Sequence, residues 1–335
     1  RSRGTSIMPK RFLGNIMTDA PTAPAGPFQN SAASGVWSLA EALSYTKGGL
    51  WPTTGNVLEI ALFTGSRLEI DKVLIQTLGN ATDFGNCSQE RNNLAACSSS
   101  TRGVFGGGAA SGTDVTTIDF VTFSTEANAI DFGDLTTATE RMAGCSSSTR
   151  GLFMGGHTGS KTNTIQYITI ATAGNATDFG NLLNQQEYNA GFSSSTRGVC
   201  SGGEASSRLN VIQYVTIASA GNATDFGDLT VARNSAAGLS TATRGLTGGG
   251  EISGGASDVI DYVTIASTGN ALDFGNLLSA KFKVGGAAGA TRGLFGKDAV
   301  IQYVTFSSTG NALDFGDLTA SFSPAGCSNN HGGLA

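Results

Sequence analysis

The chain has 335 residues, 48 of them glycine and six proline, with 13% charged residues and a formal net charge of −5. That length can bury a sizeable core, and the composition suits short packed strands joined by tight turns, excluding a coiled coil or a largely disordered chain. With no concentrated basic stripe a general nucleic-acid surface is not expected, and no apolar run is long enough to cross a membrane as a helix.

Residues 1–57 read as a separate piece. Arg1 to Arg11 is basic and begins before the first Met, so Met8 is a candidate initiator, and no signal-peptide apolar region follows it. Thr18 to Asn30 carries three of the six prolines and is expected to be extended. Ser38-Leu-Ala-Glu41 fits a capping box opening a short helix to about Thr46, stopped by Gly48-Gly49 and Pro52. An arm with one small helix cannot bury Trp37, Leu39, Leu43, Tyr45 and Trp51 by itself, so it is expected to anchor on a partner.

From residue 58 onward one unit recurs six times. Its Asp-Phe-Gly triplets begin at Asp83, Asp131, Asp178, Asp225, Asp273 and Asp314, giving spacings of 48, 47, 47, 48 and 41. Such a period belongs to propeller blades or helical solenoids. The unit from Arg233 to Leu277 decides for strands: Ser235 to Leu239, Gly245 to Gly250, Val259 to Ile265 and Leu272 to Leu277 are short apolar pieces separated by Gly, Asn, Ser and Asp. Four strands of increasing length describe one blade.

The order of an Arg, a small-residue strand, a Gly doublet such as Gly155-Gly156, a strand-three Tyr such as Tyr167 and an aromatic outer strand resembles the Kelch repeat. Phe179 and its counterparts stand where Kelch blades usually carry Trp. The first unit lacks its small-residue strand, and Ala325-Gly-Cys327 near the C-terminus aligns with Ala143-Gly-Cys145. Closure of blade one by that strand would remove two exposed sheet edges. The expected fold is therefore all-β: a six-bladed Kelch-like β-propeller over residues 58–335, its first blade completed by the C-terminal strand, plus an extended N-terminal arm with one short helix over residues 1–57.

Gly35-Val-Trp-Ser-Leu-Ala-Glu41, Gly49-Leu-Trp-Pro52 and the Gly-Asn-Ala-Thr-Asp-Phe-Gly repeats resemble segments of propeller-bearing structural proteins of marine tailed bacteriophages. The resemblance implies a virion appendage, a tail fibre, spike or head fibre, assembled in the host cytoplasm. Its arm would join other virion proteins, the chain would assemble as a homo-oligomer, and its propeller would face a host-surface glycan. The alternatives are a purely architectural decoration of head or tail and a secreted carbohydrate-binding propeller.

Candidate chemistry is sparse. Six copies of Asp-Phe-Gly without a Gly-rich nucleotide loop or His-Arg-Asp do not make a kinase. Cys97, Cys145 and Cys327 share a repeat position with Phe192, Leu239 and Ala288 and read as small buried hydrophobes. The two histidines, His157 and His331, lie in different units, too few for a copper-radical oxidase. Neither enzyme activity, cofactor nor metal is expected. Asn80, Asn175 and Asn222 form Asn-X-Thr sequons but occupy one turn of the repeat, so they read as turn residues.

Two sets of residues remain. Arg102, Arg150, Arg197, Arg244 and Arg292 share one end of the blades with the six triplet aspartates, and a structural Arg/Asp ladder is expected there. The opposite end collects loops that vary between units, and variation on a constant frame is what recognition loops look like. The binding candidates on it are Glu90, Arg91, Glu140, Arg141, His157, Gln186, Tyr188, Arg208, Lys281 and Lys283.

Overall fold

In blade three the chain runs through Ala143–Ser146, Arg150–Met154, Thr164–Thr169 and Thr177–Asn181, four antiparallel strands paired in chain order. Each blade is covered by a neighbour on both faces, so the second strand buries Leu152, Phe153 and Met154 in succession instead of alternating. The computed structural model describes residues 58–334. The N-terminal arm, its Ser38 helix and the Gly35 to Pro52 segment lie outside the described residues.

Six such sheets form the propeller. Ala325–Ser328 completes blade one on the inner side of Ile60–Thr64, with Ala61 opposite Ser328 and Thr64 opposite Ala325, the closure expected from the repeat. In blade six the two middle strands run as one segment, Arg292–Thr305, between Gly285–Ala288 and Leu313–Phe322. Phe306 N bonds Thr291 O at 3.0 Å, so this segment must double back; Asp298, at φ 57°, marks its bend. The strands do not lengthen steadily outward: the outer strand of blade three has 5 residues against 6 in the third, even though a bulge opposite Ile165/Gln166 adds Phe179 to it.

The triplet builds the junctions between blades. Phe179 is buried and meets Tyr167 edge-on at 5.9 Å, a pairing repeated in blades two and four to six. Gly180, at φ 146°, leaves room for the next blade, since an added Cβ would lie 2.3 Å from Gly221 O. Asn222 Oδ1 there accepts Asn181 N–H at 3.0 Å, and Ala223 N donates to Asn181 O at 2.8 Å. Asn80, Asn128, Asn175, Asn222, Asn270 and Asn311 repeat this bond at all six junctions. The free edge of each outer strand is thereby covered, and the sequon asparagines are structural turn residues.

Around the axis, serine hydroxyls of the inner strands link neighbours. Ser146 Oγ donates to Ser98 O at 2.7 Å, Ser193 Oγ to Ser146 O at 2.7 Å and Ser240 Oγ to Ser193 O at 2.6 Å. Ala288 interrupts the ring in blade six. The C-terminal turn Gly332–Leu334 sits against this ring, Gly333 packing on Ser146 O. His331 Nε2 lies 3.2 Å from Ser98 O, and its Nδ1 accepts Gly333 N–H at 3.1 Å. Enclosure of the ring nitrogens holds the His331 pKa down to about 4.

Candidate functional site

The two ends of the propeller differ. At the end holding the turns between strands one and two, each repeat arginine stacks on the strand-three ring of its own blade. The guanidinium carbon lies 4.4 Å from the Phe120 ring centre for Arg102, 4.8 Å from Tyr167 for Arg150 and 4.5 Å from Tyr214 for Arg197. Arg244 and Arg292 sit likewise on Tyr262 and Tyr303 at 4.7 and 5.0 Å. Each then donates to a main-chain carbonyl of the next blade, Arg150 to Ile217 O at 2.9 Å and Arg197 to Ile265 O at 2.8 Å. Arg102, Arg244 and Arg292 reach Ile170, Phe306 and Ile75 in the same way.

The expected Arg/Asp ladder is therefore corrected to an arginine–carbonyl clamp. Asp83, Asp131, Asp178, Asp225, Asp273 and Asp314 are exposed and form no ion pair among the described residues. Arg150 lies opposite Thr169, while Asp178 lies opposite Gln166, one strand farther out and three residues along. At about 3.3 Å per residue that is roughly 10 Å along the strand, beyond the reach of an ion pair. Blade one carries Ile60 at the clamp position, so the junction of blades one and two lacks it.

At the other end the chain entering five of the six inner strands turns through the left-handed region at Asn93, Arg141, Tyr188, Ser235 and Lys283, with φ between 53° and 61°. These five residues bond one another around the axis. Arg141 N donates to Asn93 O at 2.8 Å, Tyr188 N to Arg141 O at 2.9 Å, Ser235 N to Tyr188 O at 2.9 Å and Lys283 N to Ser235 O at 2.8 Å. A non-glycine residue held in this region costs on the order of 1–3 kcal/mol, so five of them in one ring mark a built feature. They surround a pocket of about 110 Å³ at the mouth of the axial channel.

Two cations lie over the Tyr188 ring, whose centre is 4.8 Å from Arg141 Cζ and 5.5 Å from Lys283 Nζ. Burial raises the Tyr188 hydroxyl pKa, with Arg141 opposing, so the phenol stays neutral. Arg141 is braced by Glu140 and Glu187, each at 2.8 Å, and these bonds outweigh its partial burial to raise its pKa. Lys283 forms no ion pair among the described residues.

Of the ten binding candidates, Arg141, Tyr188 and Lys283 meet at the mouth. Glu140 and His157 meet at a junction on the same end, where they are joined by Asp114. Arg208 and Lys281 are tied on the rim to Glu251 at 2.9 Å and Asp298 at 2.7 Å, while Glu90 is exposed on the outer strand of blade one. Arg91 and Gln186 are not surface loop residues. Arg91 is fully buried, paired with Asp119 and donating to Thr117 O at 2.8 Å. Gln186 is fully buried, donating to Gly202 O at 3.0 Å and accepting from Gln213 at 3.0 Å. Both fold inward onto buried partners on the third strand of the following blade, Asp119 for Arg91 and Gln213 for Gln186.

Asn93 and Ser235 of the mouth escaped the sequence reading, because they look like ordinary turn residues. Alignment with Arg141 and Lys283 in the repeat was the available signal. All five cysteines are free and buried, and burial pushes Cys87 to about 11 and Cys145 and Cys327 to about 12, as suits packing residues and not nucleophiles. No protein-family model matches the chain, and no curated protein is similar to it at a significant level.

Proposed function

We propose that this propeller is a non-enzymatic binding module of a phage virion, an attachment propeller whose mouth takes a host-surface glycan bearing carboxylates. One observation carries the binding reading: five different side chains, Asn93, Arg141, Tyr188, Ser235 and Lys283, stand on one repeated backbone turn around one pocket. The opposite end repeats the same residues instead. Lys283, with no ion pair among the described residues, suits an acidic substituent, the Tyr188 phenol and the Asn and Ser side chains supply neutral hydrogen bonds, and Arg141 orders the mouth from beside them. The virion placement rests on the resemblance of the Gly35 to Pro52 segment and the repeats.

The full chain, labelled and applied to an array of neutral and acidic oligosaccharides, is expected to retain acidic ones. Tyr188→Asn and Lys283→Asn keep a residue that tolerates the left-handed turn, and each is expected to weaken retention at least tenfold. Unchanged retention in both variants would remove the mouth as the site. Labelling of intact particles with antibody against the chain tests the virion placement separately.

A further inference from the structure

We propose that the junction of blades two and three holds a divalent transition-metal ion, coordinated by Asp114, Glu140 and His157. Their ligand atoms all lie within 4.8 Å of one another. Three separate pieces of chain supply them: the Thr113–Asp114 strand of the blade-two hairpin, the segment entering blade three, and the residue after the Gly155-Gly156 doublet.

The site is preorganised by the main chain. Glu140 N donates to His157 O at 3.1 Å and His157 N to Glu140 O at 2.9 Å, so these two ligands share a fixed antiparallel bridge. The Glu140 carboxylate is buried and aimed by two donors, Asn93 Nδ2 and Arg141 Nη2, each at 2.8 Å. Outer partners of this kind orient metal-binding carboxylates. Asp114 and His157 are partly exposed, 3.8 Å apart, and open to water that could complete the coordination.

The two following junctions show what this one lacks. At the positions equivalent to Asp114 and His157, blades three and four place Lys161 opposite Glu204 at 3.3 Å, and blades four and five place Arg208 opposite Glu251 at 2.9 Å. A permanent cation meets a carboxylate in both. Between blades two and three the cation position is itself Asp114, its partner is a histidine, and Glu140 adds a second carboxylate. Arg141, the nearest permanent cation, is shared with Glu187. A dication between the two carboxylates restores the charge balance of the other junctions.

Two oxygen donors and one imidazole nitrogen favour Zn²⁺ or Mn²⁺ over Ca²⁺ and Mg²⁺, which prefer all-oxygen sites. Bond lengths of about 2.0–2.2 Å would draw the three ligand atoms closer together than they stand here. The partly exposed Asp114 and His157 side chains are the ones free to close that distance.

The test is calorimetric titration of the chelator-treated full chain with ZnCl₂, together with its melting temperature with and without the metal. One equivalent bound and a raised melting temperature are expected. Asp114→Asn and His157→Gln should each weaken Zn²⁺ binding at least tenfold while melting like the parent chain without metal. Glu204→Gln, at the next junction, and Cys87→Ala should leave it unchanged. The proposal is overturned by absence of saturable binding, by binding that survives both Asp114→Asn and His157→Gln, by loss of binding on Cys87→Ala alone, or by equal affinity for Ca²⁺.

Discussion

Arg233 and Asp261 form a buried ion pair at 2.6 Å inside blade five, where Asp261 also accepts the Thr230 hydroxyl at 2.7 Å from the end of blade four. Blade two repeats the pair with Arg91 and Asp119. In blades three, four and six the strand-three position is Gln166, Gln213 or Gln302, and the partner position holds Thr139, Gln186 or Lys281. Arginine therefore enters the interior of these blades only where aspartate does. In blade one Asp71 finds its cation elsewhere, Arg67 at 3.5 Å. Burial lowers the Arg233 pKa and Asp261 opposes that shift, so the acid helps keep the base charged.

Removing one partner of such a pair leaves an uncompensated buried charge, at a cost of about 3–5 kcal/mol. Arg233→Ala and Asp261→Asn are each expected to lose stability on that scale in urea unfolding. The double variant Arg233→Gln with Asp261→Gln copies blade four, whose Gln213 Nε2 bonds Gln186 Oε1 at 3.0 Å. It should recover most of the loss; a double variant as unstable as the sum of the singles would show that the pair is not a unit.

The arginine clamp predicts a different outcome for the repeat-invariant end. Arg197→Ala loses a hydrogen bond to Ile265 O and the stacking on Tyr214, and should destabilise by about 1–2 kcal/mol. Asp178→Ala and Asp225→Ala, on exposed residues, should stay within about 0.5 kcal/mol of the parent chain. Equal losses on the two sides in thermal unfolding would restore the Arg/Asp ladder.

Closure of blade one and the turn packed on the serine ring reside in successive parts of the C-terminus. A chain ending at Asn329 keeps the Ala325–Ser328 strand and should remain monodisperse by size-exclusion chromatography. A chain ending at Phe322 exposes the inner edge of Ile60–Thr64 and should aggregate or unfold. Equal melting of the shorter truncation and the full chain would mean that blade one does not need its fourth strand.

His331 makes stability depend on pH in one direction. Its folded pKa is about 4 against an ordinary value of 6.5, so between those values the unfolded chain binds a proton that the folded chain refuses. Stability contributed by the neutral imidazole is complete above about pH 6.5 and falls as the solution is acidified toward pH 4. Full linkage over that window would be about 3 kcal/mol, and the partly open ring reduces it to roughly 1–2 kcal/mol. The difference in melting temperature between the parent chain and His331→Gln, followed from pH 7 to 4.5, should narrow with acidification. A constant difference would place His331 outside the pH response.

Blade number, strand positions and closure were legible because the causes are local and repeated. Turn residues, four short apolar pieces and a Gly doublet recur in every unit, and Ala325-Gly-Cys327 announces the missing strand by matching Ala143-Gly-Cys145. The partner of Arg150 was not legible, because it depends on strand order and on a bulge that places Asp178 far along the sheet. Arg91 and Gln186 look like solvated loop residues until the third strand places Asp119 and Gln213 beneath them. The exchange of Arg–Asp for Gln was visible in the repeat, yet it became an interaction only when folding made the two positions neighbours. Asn93, Arg141, Tyr188, Ser235 and Lys283 likewise became one pocket only when six blades closed around an axis. Sequence periodicity therefore determined the scaffold, since each unit repeats the same strands and the same junction residues that bond the next unit. The mouth and the Asp114–Glu140–His157 cluster were decided by the tertiary structure: the mouth gathers one residue from each of five repeats around the axis, and the cluster forms where blade three stacks on blade two and brings Asp114 to Glu140 and His157.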